Sequence, residues 1–330
     1  VGRAALERPA VSRWFIAWGA GLLAGLAWGA ETKSDRATVV LVVGAPGEAE
    51  YAPVFEDTVK VWTGLGALAQ AKTVTLGVRA AETMADHDRL RQVLAEEPKD
   101  GAGECWIVLV GHGTFDGKEA KFNLRGTDVS ATELADWLKP FHRPLAIIDT
   151  SSASAPFLVK LSAPNRAVVT STRSGFEQNY SRFGKYFAEA MADSASDLDK
   201  DGQVSLLEGF LSAARRTTEF YKTEGRLATE HALLDDNGDG LGTPADWFKG
   251  VRATKQAREG ASLDGVRANQ FQLVRSAAEQ QLTPDLRARR DELERAVGRL
   301  REAKPRMIEE KYYEELEKLL VELATLYGPT

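Results

Sequence analysis

Cys105-Trp106-Ile107-Val108-Leu109-Val110-Gly111-His112-Gly113 is the stretch that decides the fold. Its six apolar residues are too few for a helix and show no polar alternation, so they read as a strand buried on both faces. Such strands belong to parallel sheets covered by helices. Two glycines then permit a tight turn and close approach of another backbone, and they set His112 where the chain leaves the strand's carboxyl end.

Outward from this stretch, similar short runs recur at Thr38–Val43, Lys72–Val78, Leu145–Asp149 and Arg166–Thr170. Amphipathic segments separate them at Tyr51–Gln70, Ala81–Glu97, Ser130–Leu138 and Ala155–Leu161, with Ser130 placed as an N-cap and Glu133 as its capping-box partner. Alternating strands and helices predict an α/β fold, a three-layer αβα sandwich around a mostly parallel sheet. In such a sheet the working groups lie beyond the carboxyl ends of the strands. That rule selects Gly44–Gly47, Gly111–Gly117 and Thr150–Ser154.

The chain has 330 residues, 43% of them hydrophobic, enough for one sizeable α/β core and an accessory region. A net charge of −6 and the lack of a Lys/Arg cluster argue against a nucleic-acid partner. Residues 1–30 read as a signal peptide: Arg3, Arg8 and Arg13 precede the uncharged run Trp14–Ala30, in which Ala27 and Gly29 have cleavage-site spacing. The protein is therefore expected to be secreted or periplasmic. The alternative is an uncleaved membrane anchor, since the run sits at the lower limit of a bilayer span. Cys105 is the single cysteine, so no intramolecular disulfide framework is available.

The main domain is expected over 31–250. A linker with helical character follows at 251–282, then a helical hairpin at 283–330 divided by Pro305. Leu286, Leu293, Val297 and Leu300 form one apolar stripe of the hairpin, and Tyr312, Leu316, Leu319, Leu320, Leu323 and Leu326 the other. The hairpin either packs within the chain or offers a surface to a partner.

Val108-Leu109-Val110-Gly111-His112-Gly113 resembles the His-Gly element of the caspase-like cysteine peptidases, particularly the legumain group. The resemblance covers roughly Thr38 to Phe210. It implies a caspase-like fold with His112 as the catalytic histidine and a nucleophilic cysteine after the next core strand. There the sequence reads Ala146-Ile147-Ile148-Asp149-Thr150-Ser151-Ser152, which puts Ser151 in the cysteine's place. Cys105 is no substitute, because the strand separates it from His112 by roughly 23 Å. A Ser151–His112 dyad, with Ser152 as alternative nucleophile, would need a group such as Asp116 or Asp149 to orient the imidazole. Arg173 borders the same cleft, as an anchor for an acidic ligand group or as a surface arginine tied to a neighbouring carboxylate.

Asp197-Leu198-Asp199-Lys200-Asp201-Gly202-Gln203-Val204-Ser205-Leu206-Leu207-Glu208 matches the twelve-residue EF-hand calcium loop. Asp197, Asp199 and Asp201 supply oxygens, and Gly202 the sharp turn. Gln203 offers its backbone carbonyl, Ser205 the water-mediated position and Glu208 the closing carboxylate. Helices are expected on both sides, at Arg182–Met191 and Leu206–Lys222. A second loop at 235–246 repeats the core with Asp235, Asn237, Asp239 and Asp246, but Gly242 and Pro244 speak against flanking helices. His231 beside it reads as a hydrogen-bonding partner rather than a ligand.

Three functions follow as expectations. The first is an exported pseudo-peptidase that binds calcium and a protein or peptide. The second is an active hydrolase using Ser151 and His112, and the third a calcium-dependent structural protein.

Overall fold

A computed structural model describes residues 1–2, 36–79 and 83–326. The predicted export segment lies outside these residues from position 3 onward. Among the described residues no helix is long and apolar enough to cross a membrane.

In chain order the domain comprises β1 (Thr38–Val43), α1 (Tyr51–Leu68), β2 (Lys72–Leu76), α2 (Asp86–Glu96), β3 (Cys105–Val110), β4 (Gly113–Phe115), β5 (Ala120–Phe122) and β6 (Val129–Ser130). It continues with α3 (Ala131–Leu138), β7 (Leu145–Asp149), α4 (Ala155–Leu161), β8 (Arg166–Thr170), α5 (Phe183–Met191), α6 (Leu206–Thr223), β9 (Leu233–Asp235) and β10 (Thr243–Pro244). The main sheet runs β10-β9-β8-β7-β3-β1-β2. Its five longer strands are parallel, while β9 and β10 close one edge in antiparallel sense.

Strand periodicity divides the core into two layers. Val39, Leu41, Trp106, Val108 and Ile148 face α1, α5 and α6, where Trp62, Phe183, Phe187 and Phe210 are buried. Val40, Val42, Ile107, Leu109 and Ile147 face α2, α3 and α4, against Leu90, Leu134, Phe157 and Leu161. This is the expected three-layer α/β sandwich. Ser130 caps α3 through the expected capping box with Glu133.

Two boundaries move. The second strand stops at Leu76, because Gly77 takes a positive φ of 77° and passes the β1 backbone so closely that a Cβ would lie 1.9 Å from Val43 O. The helix expected from Ala81 begins at Asp86, and residues 80–82 lie outside the described set. The small sheet β4-β5-β6 was not anticipated, as its strands are too short to carry a pattern.

After β10 come a two-stranded ribbon, β11 (Phe248–Lys249) with β12 (Arg252–Ala253), and then α7 (Ala277–Gln281), α8 (Pro284–Ala303) and α9 (Glu309–Leu326). The last two form the expected hairpin. Arg289 Nε near the start of α8 donates to Glu322 Oε1 near the end of α9 at 2.8 Å, which fixes an antiparallel arrangement. Leu293, Val297 and Tyr312 are buried, whereas Leu320 and Val321 remain exposed. The expected linker is instead part of the core. Ala268, Phe271 and Leu273 are buried, and Phe271 packs edge-on against Trp106 with ring centroids 5.9 Å apart.

Candidate functional site

His112 stands half-buried at the carboxyl end of β3. Its Nε2 lies 3.1 Å from the carbonyl oxygen of Pro46, in the loop after β1. A carbonyl only accepts, so Nε2 carries the hydrogen and, in the neutral ring, Nδ1 holds the lone pair. Rings of Tyr51, Phe55 and Tyr180 surround the imidazole at centroid distances of 4.8, 5.4 and 5.8 Å. Burial pushes the Tyr180 hydroxyl up to about 12, so it stays protonated beside the histidine.

Ser151 follows β7, in the position the sequence predicts. Its hydroxyl donates to Asp149 Oδ1 at 2.6 Å, and its backbone N–H donates to the same oxygen at 3.0 Å. The residue is fully buried. Asp149 Oδ2 has no hydrogen-bond partner, and burial pushes the carboxyl up to about 6. Ser152 is also buried and engaged, donating to Gly113 O at 3.0 Å and accepting from Gly113 N at 3.2 Å. Ser154 Oγ receives the amides of Ser171 (3.1 Å) and Thr172 (3.2 Å), which ties the loops after β7 and β8 together.

The structure thus brings the Ser151 segment against the His112 segment through Gly113, where a Cβ would lie 2.3 Å from Ser152 O and 2.7 Å from Ser151 Oγ. No hydrogen bond joins the Ser151 and His112 side chains among the described residues. Neither predicted acidic orienter serves the imidazole. Asp116 caps its own turn by accepting from Lys118 N and Glu119 N, and Asp149 holds Ser151. Pro46 O takes that role. The selection of Gly44–Gly47 as a strand-end loop pointed to the right segment, but a backbone carbonyl leaves no residue-type signature.

Arg173 is exposed, with Nε 3.5 Å from Glu177 Oε1. This is the surface pair among its two readings. Glu177 also meets His231 Nδ1 at 2.5 Å, so His231 has the hydrogen-bonding role expected of it. Cys105 is buried at the start of β3, and burial pushes its thiol up to about 12.

The first acidic loop leads into α6. Asp197, Asp199 and Glu208 each present an oxygen, all within 4.8 Å of one another. The donor set is all carboxylate, which suits a hard cation such as calcium. Asp201 accepts from Gln203 N at 2.9 Å, and Ser205 caps α6 in a capping box with Glu208.

The second loop reproduces the first, bond for bond, over its opening positions. Asp197 accepts from Lys200 N and Gly202 N at 2.6 and 3.1 Å, and Asp235 accepts from Gly238 N and Gly240 N at 3.0 and 2.9 Å. Positive φ falls at matching places, Lys200 and Gly202 in one loop and Gly238 and Gly240 in the other. The flanks differ. The second loop joins β9 to β10, as Gly242 and Pro244 foretold, and Asp246 falls in a one-turn 3-10 segment, Ala245–Trp247.

Segment 262–276 fastens both loops, which sequence reasoning missed. Asn269 Nδ2 donates to Asp199 Oδ2 at 3.3 Å, and Ser276 N to Gln203 Oε1 at 3.0 Å. Asp264 Oδ1 accepts from Asp236 N (3.0 Å), while Asp236 accepts from Gly265 N (2.9 Å) and Ala268 N (2.7 Å). Burial raises both of these aspartates above the usual carboxylate range, and the charge of Asp236 raises Asp264 further.

No protein-family model matches the chain, and no curated protein matches it. Among solved structures it is similar to the Drosophila initiator caspase Dronc, at 15% identity and a TM-score of 0.42, over 71% of this chain and 92% of that one. It is also similar to caspase-1 from Spodoptera frugiperda, at 11% identity and a TM-score of 0.39, over 62% and 87% of the two chains. Both neighbours are caspases.

Proposed function

We propose that the protein is an exported, caspase-like pseudo-peptidase that binds calcium and holds a protein or peptide partner without cleaving it. The observation that carries this reading is the Ser151 hydroxyl, buried and committed to Asp149 at 2.6 Å. A serine nucleophile needs a closely placed base and access to substrate, and this one has neither toward the cleft. The strand end around His112 offers the half-buried rings of Tyr51 and Tyr180 and one imidazole nitrogen to a partner. Calcium in the loops at 197–208 and 235–246 is structural in this reading: it neutralises clustered carboxylates and stiffens the segment that spans both loops.

Nδ1 of His112 has no hydrogen-bond partner among the described residues, which favours the second reading, a hydrolase that turns Ser151 outward. Calcium titration by calorimetry together with a peptide and ester substrate panel tests both. Calcium uptake without turnover supports the pseudo-peptidase. Turnover that Ser151→Ala abolishes replaces it with the hydrolase, and calcium-dependent self-assembly without partner binding replaces it with a structural protein.

A further inference from the structure

At the end of the sheet opposite His112, Glu104, Pro144 and Asn165 lie just before β3, β7 and β8 and border a cavity of about 330 Å³. Its other wall comes from the 267–275 segment and from α8. Arginine dominates the lining, and the carboxylates present are already paired. Glu104 faces Arg275 at 3.5 Å, while Arg290 pairs with Glu279 and, at 2.7 Å, with Asp291.

Arg267 and Arg295 have only neutral partners for their guanidinium groups. Arg267 Nη1 donates to Asn165 Oδ1 at 3.2 Å, and Arg295 Nη1 to Gln270 Oε1 at 2.7 Å. Neither forms an ion pair among the described residues. Burial lowers Arg267 from its ordinary value and the charge of Arg295 lowers it further, with Asp236 and Asp291 opposing from a distance. Two like charges held partly out of water and close enough to repel are stabilised by an anion placed between them.

We propose that this cavity binds the phosphate group of a small molecule between the guanidinium forks of Arg267 and Arg295. The planar fork matches phosphate oxygens in pairs, and each fork is already oriented by an amide side chain. The volume lies at the small end of ligand sites, with room for a phosphate and a short organic remainder. The proposal does not rest on the reading of His112 or on calcium.

Calorimetric titration of the full chain with inorganic phosphate, phenyl phosphate and succinate tests it, using Arg267→Gln, Arg295→Gln and Arg258→Gln. Arg258 is exposed and does not line the cavity, so its variant controls for net charge. The expected result is phosphate binding weakened about tenfold or more in each cavity variant and unchanged in Arg258→Gln. Tighter binding of phenyl phosphate identifies an ester as the ligand class, and equal affinities identify the free ion. No binding to the wild type, equal loss in the control, or succinate binding as tightly as phosphate overturns the proposal. Circular dichroism checks the fold of each variant. Arg267→Lys and Arg295→Lys, which keep charge and lose the fork, provide a second series in which affinity must also fall.

Discussion

The Ser151 hydroxyl and the Asp149 carboxylate face each other at 2.6 Å inside the protein, with Ser151 the donor. Asp149 therefore has one satisfied oxygen and one buried oxygen with no partner. That imbalance makes its protonation state a stability variable.

Because burial raises the folded-state value to about 6 from an ordinary 3.8, the folded protein binds a proton that the unfolded chain has already released. The contribution is favourable at low pH and is lost as pH rises from about 4 to about 6, by at most about 3 kcal/mol. Urea midpoints at the two ends of this window are expected to show the loss in the wild type. In Asp149→Asn, which cannot ionise, the loss should shrink by the share due to this carboxyl, leaving only that of the other buried acids such as Asp236 and Asp264; an identical slope in the variant would contradict the assignment.

Gly113 and Gly64 make a paired test of backbone space. A Cβ on Gly113 meets Ser152 O at 2.3 Å, so Gly113→Ala is expected to lower stability by about 2 kcal/mol or more. Gly64 lies within α1 with nothing near its Cβ position, and Gly64→Ala is expected to raise stability by about 0.5–1 kcal/mol. Thermal midpoints of the two variants should move in opposite directions.

Cys105 should resist iodoacetamide at mildly alkaline pH in the folded protein and react once urea exposes it, because burial suppresses both access and thiolate. Mass spectrometry reads the modification directly. Rapid labelling of the native protein would mean that β3 opens or that the thiol lies elsewhere.

Glu208→Gln retains side-chain length and one accepting oxygen for the capping box while removing one of the three carboxylates gathered within 4.8 Å. Calcium is expected to raise the melting temperature of the wild type and to have at least about tenfold lower affinity for the variant. Without calcium the variant should be less stable by about 1–3 kcal/mol, because Glu208 Oε1 accepts from Leu198 N and Asp199 N and Oε2 from Ser205 N, and a glutamine NH2 in either place accepts nothing. A wild type indifferent to calcium in both calorimetry and melting would remove the metal from these loops.

Much of this was legible in the sequence where residue type and spacing carry the information. Trp106–Val110 could hardly be anything but a central strand, and Ser130 with Glu133 announced the start of α3. The Asp-rich loops declared their turns through Gly202, Gly238 and Gly240. The rest depended on contacts between residues distant in the chain. Nothing near Pro46 states that its carbonyl meets an imidazole 66 positions away. The direction of the Ser151 hydroxyl is set by a choice between Asp149 and the cleft, which one-dimensional spacing does not encode. The 251–282 region looked like a linker with helical character because it has no strand runs, yet Phe271 and the Asp236–Asp264 contacts make it a strap.

β10 holds two residues, and one of them is Pro244, which has no amide hydrogen to give a neighbour. The sheet thus ends on that side in a margin that resists copying by another chain's strand. An assembly of this protein that extends one sheet continuously through two copies is disfavoured at this edge, so a pairing of copies must draw on other surfaces.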